Sequence, residues 1–223
     1  MNIRKYPLAN GHYYHVFSRS IAKYTIFNDP QDFSRIKELL KLYRYIDFNY
    51  CYSKFSDLNP FLQQKIIQNV QLNSQVLVEI IAYTIMPTHI HLILKQVADQ
   101  GISKFMSRVL NSYTRYFNSK HHRSGPLWES KFKDVEVSTD NQLLHLTRYF
   151  HLNASSAGLV QKPEDWLHSS YLEYLKIDSA NLCQFDGLFD FTSEQYRKFV
   201  NDRKSYQKQI SVIKNMMIDN YSG

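Results

Sequence analysis

His89-Ile90-His91 stands in the largely apolar run 80–94 and carries two imidazoles two residues apart. On a strand such residues share a face and recur every ~6.7 Å, so both rings can reach one divalent cation while Ile90, Leu92 and Leu94 enter the core. Two ligands leave such an ion incomplete, because oxygen-preferring cations take about six donors and a catalytic site keeps some for substrate. Asn153 can offer a carbonyl oxygen as a third protein ligand. It lies one helical turn past Tyr149, a pairing that sets a nucleophile beside an electrophilic metal. A phenol with a pKa near ~10 attacks poorly at neutral pH unless its proton is removed or a cation favours the phenolate.

These residues need elements that bring them together. Tyr13 to Arg19 alternates and is rich in aromatic and β-branched types, which predicts a first strand with His15 and Arg19 on one face. A helix follows, capped by Asn28 or Asp29, with Pro30 in its first turn and apolar residues at helical spacing to about Tyr45. The polar stretch 47–75 reads as an insertion holding a short helix around 60–70. Val76 to Ile85 and His89 to Gln96 form a hairpin. Ile102, Phe105, Met106, Val109, Leu110, Tyr113 and Phe117 make the apolar stripe of the clearest helix. Lys131 to Val137 is a fourth strand, and Thr139 caps a helix to about Leu152 with Gln142 at capping-box spacing. His145, Tyr149 and Asn153 share one stripe of it; His145 reads as solvent-exposed, or else as a contact to DNA or to a metal's outer shell, and His151 reads as an ordinary position. Trp128 reads as a core anchor.

The order strand, helix, strand, strand, helix, strand is that of an α+β fold: a ferredoxin-like split βαβ antiparallel sheet with helices on one face. We place this domain at residues 1–160, and a helical C-terminal extension at 161–223 with helices over 166–175 and 193–217.

Composition narrows the partners. Among 223 residues, 43% are hydrophobic and 21% charged, and no apolar run reaches the ~20 residues of a membrane span. The N-terminus lacks a signal-like apolar segment, so a cytoplasmic location is expected. Cys51 and Cys183 are too far apart for a thiolate metal site. The net charge is +7, and Lys104, Arg108, Arg115, Lys120, Arg123, Lys131 and Lys133 face only Glu129 within 103–133. Interleaved with Tyr113, Tyr116, Phe117 and Trp128, they form a candidate surface for phosphate backbones and unstacked bases, or else a solvated helix face and basic loop. Arg19 is a further candidate for a phosphate contact, or for an ion pair.

Tyr83 to Leu94 resembles the histidine-motif strand of the single-tyrosine HUH transposases, in particular the REP-associated tyrosine transposase branch. Arg148-Tyr149-Phe150-His151-Leu152-Asn153 resembles that branch's second motif, and 14–19, 125–132, 157–160 and 166–171 agree in order. The resemblance spans roughly residues 10–175. It implies a metal-dependent DNA transposase acting on single-stranded or hairpin DNA, such as mobile-element ends or palindromic repeats. His89, His91 and Asn153 would hold Mg²⁺ or Mn²⁺, and Tyr149 would form a 5′-phosphotyrosine intermediate. The chain would work as a monomer or a homodimer. Thr88 replaces the family's usual Asn and Ala154 its usual Pro, which implies altered hydrogen bonding before His89 and a looser helix end at Asn153. The alternative is a nucleic-acid-binding module of the same fold without the chemistry.

Overall fold

Period-two burial organises the molecule. In the computed structural model, which describes residues 7–178 and 181–202, β1 (Tyr13–Arg19) pairs antiparallel with both β3 (His89–Gln96) and β4 (Lys133–Val137), and β3 pairs antiparallel with β2 (Val78–Met86). The resulting sheet has the order β2-β3-β1-β4, in which the two central strands are the first and third. That is the split βαβ arrangement the element order predicts, and the fold is α+β.

Two crossover helices, α1 (Pro30–Tyr43) and α4 (Gly101–Lys120), cover one face. Asp29 caps α1 by accepting from the Gln31 and Asp32 amides, and Pro30 occupies the first turn, where its missing N–H is not needed. The α4 stripe from Ile102 to Phe117 is wholly buried and meets Val16, Ile90, Leu92 and Leu94 in the first core. The insertion holds two helices where one was expected: α2 (Tyr52–Ser56), anchored by buried Phe55, and α3 (Pro60–Asn73), which buries only Val70.

Helices lie on both faces of the sheet. The expectation of helices on one face holds for the crossover pair. However, α5 (Asp140–Ser156) leaves β4 and needs cover for Leu143, Leu146 and Phe150. It finds that cover on the second face, against Ile81, Ala82, Ile93 and Val137. A bulge between Ile80 and Ala82 makes this possible. With one extra residue the parity of β2 reverses: Tyr83 and Ile85 stay in the first core, while Ala82, Thr84 and Met86 lie beside Ile93, His91 and His89.

Beyond α5, the short α6 (Tyr171–Tyr174) and α7 (Ser193–Asn201) pack into the same second core through Tyr171, Tyr174, Tyr196 and Val200. Only four residues of the expected 166–175 helix are helical. The part of the expected 193–217 helix beyond 202 lies outside the described residues. Two strand starts also differ. Val76 makes only an isolated bridge to Tyr45 before β2 begins at Val78, and pairing in β4 begins at Lys133.

Candidate active site

β3 and β1 set the floor of the site. His89 and His91 lie on the second face, in register with Arg19 and Phe17 of β1, and with Met86 and Thr84 of β2. Both rings are buried, and their centroids are 4.8 Å apart at 90°. Each is oriented through Nδ1. Thr88 Oγ1 lies 2.9 Å from Nδ1 of His89, and His15 Nε2 lies 3.0 Å from Nδ1 of His91. A hydrogen bond to Nδ1 fixes the orientation of each ring, as the second nitrogen's partner does at metal-binding histidines. Thr88 thus supplies the hydrogen bond at the start of the strand.

α5 delivers the other half. Thr139 Oγ1 accepts from the Gln142 amide, while the Gln142 side chain accepts from Ser138, one residue before the cap. From this fixed start the helix places the Tyr149 ring 6.3 Å from that of His91, at 79°. Phe150, fully buried, packs beneath, 5.6 Å from His91 and 5.1 Å from His15. Asn153, one turn on, is buried, and its Nδ2 makes no hydrogen bond. Rotating the carboxamide by half a turn exchanges that nitrogen for oxygen, which a cation would welcome. Among the described residues no group of three or more His, Cys, Asp and Glu gathers for a metal. By type alone, two imidazoles and an amide oxygen would suit a hard or borderline divalent ion with open positions.

His15 is the site residue that sequence reasoning left at the margin. Its parity on β1 was readable, but its contact with His91 depends on the β1–β3 register, which no local pattern states. The solvent-exposed reading of His145 fails: it is buried, as is His151, because α7 covers this flank of α5. His145 packs on Phe199, and burial and then Arg148 lower its pKa. His151 is enclosed by Tyr171, Tyr174 and Tyr196, and burial pushes its pKa down to about 3. Trp128 is a core anchor, its Nε1 donating to the Leu110 carbonyl.

The candidate basic residues divide into groups. Arg19 and Lys133 flank the histidines, lining a small recess with Phe17 and Glu129, with Lys133 Nζ 5.9 Å from the Phe17 ring centre. Lys131 is exposed nearby in sequence. Arg108, Arg115 and Lys120 stand on the outer side of α4, beyond the first core and away from the histidines. Lys104 donates to the Asp99 carbonyl and Arg123 to that of Pro126.

Residues 57–153, which include His89, His91, Tyr149 and Asn153, match the family model described as "Transposase IS200 like". Among solved structures, the chain is similar to a REP-associated tyrosine transposase bound to a REP hairpin, at 13% identity over 86% of this chain and 96% of that one, with a TM-score of 0.50. That likeness shows the fold. A putative transposase from Deinococcus radiodurans R1 is also similar, at 16% identity over 64% of this chain and 90% of that one, with a TM-score of 0.37. No curated protein sequence matches. No helix among the described residues is long and apolar enough to cross a membrane.

Proposed function

We propose that this chain, whose residues 57–153 match the IS200-like transposase model, is a transposase of that kind and cuts and rejoins single-stranded or hairpin DNA through a covalent bond to Tyr149. The observation that carries the reading is the approach of Tyr149 on α5 to His91 on β3, two buried residues 58 positions apart whose rings sit 6.3 Å from each other.

In this reading His89 and His91 through Nε2, and Asn153 through its amide oxygen, would hold Mg²⁺ or Mn²⁺. The bound ion supplies polarisation of the scissile phosphate and offsets charge as the transition state forms. His15 keeps His91 in the tautomer with Nε2 available, and Thr88 does the same for His89. Arg19 and Lys133 hold the flanking phosphates. The Tyr149 hydroxyl loses its proton to solvent as its oxygen attacks phosphorus, and the P–O3′ bond breaks. The departing 3′-oxygen takes a proton, and the phosphate stays on the 5′ side as a phosphotyrosine. A second 3′-hydroxyl can reverse the step with no other energy source, which makes strand transfer possible. All the side chains named come from one chain, so a monomer suffices. The DNA would be met in the cytoplasm.

The test is incubation of the full chain with Mg²⁺ or Mn²⁺ and end-labelled hairpin DNA with single-stranded flanks. A protein–DNA adduct that survives denaturing electrophoresis is expected, on the 5′ side of the cut, and Tyr149→Phe removes it. Cleavage without an adduct, or an adduct that persists in Tyr149→Phe, overturns the assignment. Binding without an adduct on any substrate from the flanking DNA leaves the binding module as the surviving reading.

A further inference from the structure

A second recess opens on the far side of the molecule, separated from the histidines by the helix layer and the sheet. This cleft of about 690 Å³ lies between α1, the 48–53 segment and the outer side of α4. Its volume falls within the ~300–1,000 Å³ of clefts that enclose small ligands. Among the described residues, four cations line it, Arg35, Arg108, Arg115 and Lys120, and no acidic residue does.

The charges differ in how they are held. Lys120 is balanced by Asp29 and Asp32, at 2.6 and 2.7 Å. Arg108 donates only to the backbone carbonyls of Tyr45 and Ile46, and the Arg35 guanidinium rests 4.3 and 4.6 Å from the ring centres of Tyr52 and Tyr116. Such contacts orient a guanidinium without neutralising it. Among the described residues no carboxylate lies within 4 Å of Arg35, Arg108 or Arg115. The cleft thus holds three uncompensated cations, two of them already ordered. Tyr50, exposed by 44%, stands at the same cleft and offers a flat ring.

We propose that this cleft is a nucleotide-binding site that takes an unpaired nucleotide of the DNA substrate, with its phosphate on Arg35 and Arg115 and its base against Tyr50. A planar guanidinium pair selects phosphate, and an exposed aromatic ring selects a base face over a simple anion. That the nucleotide belongs to a DNA strand rests on the transposase reading. The cleft's preference for a nucleotide does not.

Cys51 provides a reporter inside the cleft. Its thiol lies 3.3 Å from the Ser53 hydroxyl, and that bond, with the nearby Arg115 charge, lowers its pKa. Burial pushes the Cys183 thiol well up, so a maleimide reacts at Cys51 first. The experiment measures the Cys51 labelling rate of the full chain alone, with a hairpin carrying unpaired nucleotides, with the same hairpin fully paired, and with dAMP. The DNA with unpaired nucleotides is expected to slow labelling at least about fivefold, and the paired hairpin much less. Arg115→Glu abolishes that ratio and weakens binding of the unpaired DNA about tenfold, while Arg115→Lys recovers part of both. Equal protection by dAMP assigns the site to free nucleotides and overturns the DNA assignment. No protection by either overturns the cleft altogether. Adduct formation is read in the same samples. An adduct without Cys51 protection sinks this proposal and leaves the Tyr149 chemistry standing, and protection without an adduct does the reverse.

Discussion

Acidification should unfasten the helix that carries Tyr149, and His151 is the reason. Its Nδ1 is bonded to the Tyr196 hydroxyl at 2.7 Å and its Nε2 to that of Ser170 at 2.8 Å. Ser170 in turn bonds the Tyr83 backbone, so one imidazole ties α5 to α7 and to β2. A neutral imidazole, one donor and one acceptor, suits this place, whereas an imidazolium would bring an uncompensated charge into a dry core. The folded pKa is about 3, against about 6.5 for an unfolded histidine. Below pH 6.5 the unfolded chain therefore binds a proton that the folded chain refuses, so stability is full above that pH and falls as pH drops toward 3. Linkage puts the loss between pH 7 and pH 5 at about 2 kcal/mol, with a slope near ~1.4 kcal/mol per pH unit below that. Urea unfolding followed by circular dichroism at pH 7, 6 and 5 measures it, with His151→Asn as the non-titrating reference. The other histidines contribute equally to both proteins and cancel in the difference. The variant is expected to be less stable at pH 7 but flatter with pH by about one proton. An identical pH dependence in the two proteins refutes the argument.

Removing the imidazole behind His91 tests whether orientation matters: His15→Gln should weaken Mn²⁺ activation of adduct formation about 10–100-fold, with the thermal midpoint nearly preserved, and an unchanged Mn²⁺ midpoint counts against it. At the start of α4 the backbone itself is close. A Cβ at Gly101 would run into the carbonyl oxygen of Leu77, which also accepts from the Val97 and Ala98 amides, so Gly101→Ala should cost about 1–3 kcal/mol in urea unfolding. A melt equal to that of the parent shows that the chain moves aside at no cost.

The local elements were legible because their signals are local. The stripe 102–117 has one period and one outcome, and the Asp29-Pro30 and Thr139 starts carry their own hydrogen-bond acceptors. Trp128 and the alternation in 131–137 were legible for the same reason. The burial of His145 and His151 was hidden because it depends on a helix some 45 residues further on, which supplies Phe199 and Tyr196. The candidate basic residues look like one stretch in sequence, yet a helix and a following strand point in unrelated directions. Arg108, Arg115 and Lys120 therefore meet α1 and the insertion, while Lys133 meets Phe17 near the histidines.

By itself the sequence determined which side chains are available and how they are spaced: two imidazoles of one parity on a strand, and a phenol and an amide one turn apart on a helix. Periodicity and capping suffice for that, since both are settled within a few residues. Tertiary structure alone decided that Tyr149 of the second pair meets His91 of the first. The bulge at Ile81 turns the upper half of β2 over, and α5 crosses to the face left open by α1 and α4. The β1–β3 register then seats His15 behind His91. Each of these is a long-range packing outcome, driven by the need to bury two apolar faces of one sheet, and that need has no signature within any single segment of the chain.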